Sequence, residues 1–181
     1  MKLMIASDIH GSAAFCKQLL EAYKNEAPDR LLLLGDILYH GPRNDLPAGY
    51  APKEVIELLN PLGAQILCVR GNCEAEVDQM VLKFPVLADY AWLDVNGLRI
   101  FATHGHHHNT STPPALRTGE ILLHGHTHVL TFTEFGDRNW YINPGSIALP
   151  KENNPRTYMV YENRSFKIKT IDGQIFAEKS F

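Results

Sequence analysis

Five short clusters of metal-ligating residue types run in order along this chain: Asp8-Ile9-His10, Gly35-Asp36, Gly71-Asn72, Thr103-His104-Gly105 and Gly125-His126-Thr127-His128. Two carboxylates, four imidazoles and one amide are too many for a single ion. Shared between two ions, they suit a pair of first-row divalent metals. Taken singly each cluster is weak. Gly-Asp after an apolar run more often marks a turn, Asn72 after a glycine is a common turn residue, and a lone His104 would ordinarily be a structural imidazole. His126 and His128 say more, because two imidazoles two positions apart on an extended segment can straddle neighbouring ions. The joint order of the five clusters carries the argument.

Each cluster follows an apolar run that reads as a buried strand: Leu3–Ala6, Leu31–Leu34, Ile66–Val69, Ile100–Ala102 and Ile121–Leu123. Ligand-type side chains at strand ends are how an α/β protein gathers distant residues into one site. Between the runs, Ser12 is placed to cap a helix bearing Phe15, Leu19 and Ala22 at helical spacing, and Pro28-Asp29 ends it. The leucines 31–34 lack polar alternation, which predicts burial on both faces. Tyr39–Ala51, rich in Gly, Pro and Asn, predicts a long loop of the kind that often serves function. Pro52, with Glu54 in the first turn and Val55, Leu58 and Leu59 on one face, opens a second helix. Ala75–Leu82 predicts a short third.

The texture changes after Phe84. Asn96-Gly97 between Tyr90–Val95 and Leu98–Thr103 is a hairpin signal. Turn pairs at Gly136-Asp137, Asn163-Arg164 and Asp172-Gly173 then predict short strands in a largely antiparallel meander. The first half reads βαβαβα, so the class is α/β (α+β). Without repeats, low-complexity segments or linkers, residues 1–181 read as one domain.

Composition sets bounds. Hydrophobic content of 45% with 20% charged residues is that of a globular protein. A net charge of −3 offers no basic field for long duplex nucleic acid and argues against it as a partner. No apolar stretch approaches the ~20 residues of a membrane span. Three cysteines (Cys16, Cys68, Cys73) without framework spacing, and a start without an apolar leader, point to a reduced, cytoplasmic protein. Nothing in the sequence sets the oligomeric state, and a homo-oligomer stays open.

The order Asp-x-His, Gly-Asp, Gly-Asn, His, Gly-His-x-His resembles the calcineurin-like metallophosphoesterase superfamily, and within it the small bacterial phosphodiesterase branch. The resemblance spans almost the whole chain, including His40-Gly41-Pro42-Arg43-Asn44 and Asn143-Pro144-Gly145-Ser146. It implies a four-layer αββα sandwich of two mixed sheets flanked by helices. Carried over position by position, it places Asp8, His10 and His128 on one metal, Asn72, His104 and His126 on the other, and Asp36 as the bridge. Two cations roughly 3.5–4 Å apart acidify a shared water and neutralise phosphate oxygens. Asp8, Asp36, Asn72 and His104 would thereby support catalysis. Oxygen and nitrogen ligation without thiolate makes Mn the first expectation, followed by Zn, Fe, Co or Ni.

One position departs from the family pattern. Many members read Gly-Asn-His-Glu where this chain reads Gly71-Asn72-Cys73-Glu74. A thiol carries no positive charge and ionises to an anion, so a cationic helper for the leaving oxygen is missing; packing is as good an account of Cys73. Two divalent cations, two carboxylates and a hydroxide leave roughly +1, which a diester anion cancels and a monoester dianion overshoots. The expected partner is therefore a small phosphorylated substrate, a diester first, contacted by His40, Arg43, Cys73 and His106. The plainer reading of His40 and Arg43 is a surface loop held by its prolines. His107 and His108 read as solvated, His124 as a satisfied core histidine and Cys68 as packing. Three alternatives stand beside the phosphodiesterase: a phosphomonoesterase or polyphosphate hydrolase for activated substrates, a nuclease, weakened by the acidic balance, and a protein-interaction scaffold like the retromer subunit of this fold. Loss of ligand positions would mark the scaffold, and none is lost here.

Overall fold

The computed structural model describes residues 1–181. The first three apolar runs form β1 (Leu3–Ala6), β2 (Arg30–Leu33) and β3 (Ile66–Cys68), paired in parallel. They are joined by α1 (Ala13–Glu26), then by the long loop and α2 (Pro52–Leu59) with a 3-10 segment over Asn60–Gln65. α1 begins where its cap requires, with Ser12 Oγ accepting from the Phe15 N–H at 3.3 Å. A short α3 (Glu76–Val81) precedes the hairpin of β4 (Tyr90–Val95) and β5 (Leu98–Thr103). Its turn residues Asn96 and Gly97 both adopt positive φ, as such a turn demands. β6 (Ile121–His124), β7 (Thr131–Phe135), β8 (Asn139–Asn143), β9 (Thr157–Glu162), β10 (Ser165–Thr170) and β11 (Ile175–Ser180) complete the chain.

Two mixed sheets result, ordered β11-β10-β9-β1-β2-β3 and β4-β5-β6-β8-β7. Alternation along β1 and β2 explains their stacking. Met4, Ala6, Leu31 and Leu33 face α1 and α2 in one core with Cys16, Leu19, Val55 and Leu59. Leu3, Ile5, Leu32 and Leu34 face the other way, meeting Ile100, Ala102, Ile121 and Leu123 of the second sheet. The Tyr161 hydroxyl crosses between the sheets to donate to Val95 O at 3.0 Å. An α/β sandwich of two mixed sheets is thus present. All three helices precede residue 82, and beyond the second sheet His108 packs edge-on against Phe101 at 5.4 Å and against Tyr90 at 6.3 Å.

Two expectations need correcting. β4–β5, β7–β8 and β9–β10–β11 are antiparallel, but β6 pairs in parallel with both β5 and β8. The irregular connection over 104–120 returns the chain to the starting end of β5, so β5 and β6 finish at one edge of the sheet. β3 is also an edge strand rather than a fully buried one, which leaves Leu67 exposed.

Candidate metal centre

Parallel pairing decides where the polar clusters go. The segments after β1, β2 and β3 leave one edge of the first sheet carrying Asp8, Asp36 and Asn72. Those after β5 and β6 leave the second sheet carrying His104, His126 and His128. Beyond the strands, His10 N–H donates to Asp36 O at 2.8 Å within the first sheet's edge, and His126 N–H donates to Asp8 Oδ2 at 3.1 Å between the two edges. Asp8, His10, Asp36, His126 and His128 all have positive φ. L-residues hold that conformation only where surrounding contacts over-determine it, at a cost of order 1–3 kcal/mol each. Two glycines of the motifs are there for clearance. A side chain at Gly71 would strike Asp36 and Glu74, and one at Gly125 would strike Ser7 and Asp8.

All seven side chains converge. Asp8 Oδ1 lies 3.2 Å from His128 Nε2 and 3.6 Å from His10 Nε2. Asp36 Oδ2 lies 3.6 Å from His10 Nε2 and 3.4 Å from His104 Nε2, so this one oxygen stands between the two groups of imidazoles. Asn72 Oδ1 and His126 Nδ1 approach His104 Nε2 at 3.0 and 3.1 Å. Asp8, His10 and His128 form one triad of ligand atoms, Asp8, Asp36 and His104 a second, and His10, Asp36 and Cys73 a third.

The imidazoles are pre-aimed. His10, His104 and His128 each meet a backbone carbonyl through Nδ1: Tyr39 O at 2.9 Å, Leu34 O at 2.7 Å and Leu149 O at 2.6 Å. That contact fixes the Nδ1–H tautomer and leaves each Nε2 lone pair directed inward, as histidine ligation requires. Inside, Asp8 Oδ1 is buried without a hydrogen-bond donor. A buried carboxylate oxygen and inward lone pairs are a donor set lacking its acceptor, and divalent cations fit it.

Electrostatics agree. Burial pushes His104 down, but Asp36 and then Asp8 reverse this and carry it up to about 9; His10 is raised against burial by Asp8. Burial works to raise Asp8 and Asp36, yet the neighbouring imidazoles hold both below the ordinary carboxylate range. Without metal, protons fill the place that cations would take. His126 is lowered by burial, then by His104, with a smaller push from the Arg43 charge.

The other singled-out residues divide. Arg43 and Cys73 line a cavity of about 410 Å³ that opens onto Asp36, Asn72, His126 and His128. Burial and then Asp36 push the Cys73 thiol far above its usual value, so it is a neutral S–H here. His40 does not line this cavity; its ring packs between Tyr39 and Tyr50. His106 lies across Asn72, in a second cavity of about 330 Å³, with its ring 5.4 Å from that of His104. His107 is exposed, whereas His108 packs on Phe101. His124 is buried and stacked on Tyr141, but its Nε2 has no partner, so it is not fully satisfied; burial lowers it to about 4.

Sequence reasoning missed three supports. Glu74 accepts backbone N–H groups of Asp36 at 2.8 Å, Ile37 at 2.7 Å and Gly71 at 2.5 Å, tying the second cluster to the third. The Asn143 amide donates to Gly125 O at 2.9 Å and Thr127 Oγ1 at 3.0 Å, bracing the His126–His128 loop. Lys151 lines the larger cavity. Glu74 and Asn143 sit within motif stretches and were readable as candidates; Lys151 carries no sequence signal.

Residues 1–165 match the family model of the calcineurin-like phosphoesterase superfamily domain. This chain belongs to that superfamily. Phosphodiesterase YfcE of Escherichia coli K12 is 42% identical over 174 residues, covering 96% of this chain and 94% of the relative. A solved structure of E. coli YfcE, described as a phosphoesterase, superposes with a TM-score of 0.95 at 41% identity over 99% of each chain. Vacuolar protein sorting 29 from Cryptosporidium parvum shares the fold, with a TM-score of 0.60 at 16% identity over 99% of this chain and 98% of the other. Superfamily members use divalent metals, in keeping with the donor set. No helix is long and apolar enough to cross a membrane.

Proposed function

We propose that this protein is a phosphodiesterase dependent on two divalent metal ions and acting on a small or flexible phosphodiester. The observation that carries the reading is the convergence of Asp8, His10, Asp36, His104 and His128 ligand atoms in overlapping triads, in a chain 42% identical to a phosphodiesterase. Asp8, His10 and His128 would hold one ion, Asn72, His104 and His126 the other, and Asp36 would touch both. When bound, such ions acidify water and draw charge from phosphate oxygens. Manganese is the proposed metal, because the donors are oxygen and imidazole nitrogen.

The protein's own groups do the rest. The backbone carbonyls of Tyr39, Leu34 and Leu149 keep the three imidazoles aimed, with each Nε2 turned toward the centre. Hydrolysis forms one P–O bond from water and breaks the one to the leaving oxygen, which takes up the released proton. A neutral thiol at Cys73 supplies no positive charge to that oxygen. A scissile phosphate with a single negative charge and a good leaving group is therefore favoured, which is the diester class. Two cavities that share Asn72 give each arm of a diester its own space. The three free thiols fit a reducing, cytoplasmic setting.

The test is hydrolysis of bis(4-nitrophenyl) phosphate by chelator-stripped protein resupplied with Mn, Zn, Co or Ni. Activity restored by metal, highest with Mn and above that on 4-nitrophenyl phosphate, is expected. Absence of any metal-dependent diesterase activity would sink the reading.

A further inference from the structure

The larger cavity beside the centre carries two cations that the site itself does not need. Arg43 and Lys151 both line it, and neither side chain makes a hydrogen bond or an ion pair within the protein. The lining holds one acid, Asp36, whose oxygens face His10, His104 and the Cys73 N–H. In a chain of net charge −3, two unpaired cations on one cavity run against the average field.

Their positions are indexed to the centre. The Lys151 N–H donates to His128 O at 3.2 Å, and Leu149 O in the same segment accepts from His128 Nδ1 at 2.6 Å. Arg43 sits in a turn closed by Asn44, whose N–H donates to Gly41 O at 3.3 Å and whose amide donates to His40 O at 2.8 Å. A Cβ placed on Gly41 would lie 3.4 Å from Cys73 Sγ, so this turn stands close beside Cys73. The backbone carrying each cation is thus bonded to a ligand or to its neighbour, while both side chains are exposed and free to turn toward an anion in the cavity.

The scissile diester does not use these charges up. With both ions in place, roughly one positive charge remains at the centre, and one diester anion cancels it. The cavity is also in the size range of a small-molecule pocket rather than of one phosphate. We propose that Arg43 and Lys151 form a subsite for a second anionic group of the substrate, next to its scissile phosphodiester. The preferred class is then a phosphoanhydride-linked diester, such as a nucleoside diphosphate ester, or a diester bearing an adjacent phosphate. This rests on the phosphodiesterase reading above and narrows its substrate.

Calorimetric titration tests the subsite without turnover. Pyrophosphate and orthophosphate are titrated into protein freed of excess metal, both Mn-loaded and stripped. Wild type should bind pyrophosphate about tenfold more tightly than orthophosphate, as one additional charge-assisted contact implies. Arg43→Ala and Lys151→Ala should each erase most of that preference. A kinetic arm compares kcat/KM for a nucleoside diphosphate sugar and for bis(4-nitrophenyl) phosphate. In both variants the loss on the anhydride should exceed the loss on the bis-aryl ester about tenfold, mainly through KM. Equal losses would place the two cations on the scissile phosphate and overturn the subsite. An absent pyrophosphate preference, or one unchanged in the variants, overturns it too. If bis(4-nitrophenyl) phosphate is not hydrolysed with any metal, the diesterase reading fails, while calorimetry still decides the subsite.

Discussion

The Nε2 atoms of His10 and His128 stand 3.3 Å apart, with Asp8 Oδ1 at 3.6 and 3.2 Å from them. Each ring has already committed Nδ1 to a backbone carbonyl. Two inward lone pairs beside a buried carboxylate are favourable only with a shared cation between them, a proton or a metal. Proton and metal therefore compete for one place.

Metal binding should release protons. In the metal-free protein His104 is raised to about 9, because Asp36 and Asp8 outweigh burial. Its stabilisation is fully present below the unfolded value near 6.5 and is lost as pH rises through about 9. The Tm of stripped protein should fall over that window, while apparent Mn affinity climbs. Calorimetry in buffers of differing ionisation enthalpy reads the released protons; a heat independent of buffer would contradict the competition.

Asp36→Asn should lower diesterase kcat/KM by on the order of 10³ or more, since one Asp36 oxygen faces both imidazole groups. The fold should survive, because the new amide oxygen can still accept from the Cys73 N–H, now 2.9 Å from Oδ1. His107→Ala removes an exposed ring at the rim of the second cavity that holds no ligand position, and should change turnover far less. Circular dichroism together with matched kinetics checks both; a comparable collapse in the two variants would refute the division.

Cys73→His should raise the ratio of monoesterase to diesterase activity. The introduced imidazolium adds positive charge where a monoester has excess negative charge and can protonate its leaving oxygen. General acid help reaches about 10²–10⁴-fold with ideal geometry, so a rise of roughly tenfold is expected from an unrefined placement. The measurement is the ratio of kcat/KM for aryl mono- and diesters at verified metal occupancy. An unchanged ratio would show that substrate choice is set elsewhere.

Glu74→Ala should destabilise the protein and loosen the centre together. It strands three backbone N–H donors at Asp36, Ile37 and Gly71, each worth about 1–3 kcal/mol when left unpaired and buried. A loss of about 3 kcal/mol corresponds to a Tm lower by roughly 6–12 °C for a chain of this size. Metal affinity should weaken in parallel, read by titration. Wild-type affinity in a destabilised variant would show that Glu74 braces the fold and not the site.

The ligand-type residues were legible because chemistry restricts them: few side chains bind divalent metals, and the apolar runs before them announce strand ends. The Ser12 cap, the Asn96-Gly97 hairpin and the two-sided burial of residues 31–34 were legible for the same local reason, since caps, turns and periodicity act over a few residues. The parallel pairing of β6 was not, because strand direction depends on where a long irregular connection brings the chain back. That pairing lets His104, His126 and His128 meet Asp8, Asp36 and Asn72. Sequence spacing likewise could not separate His106, beside the centre, from His108, on Phe101, or remove His40 from the cavity and bring in Lys151. Side-chain neighbours across the fold settle those placements, and only packing creates such neighbours.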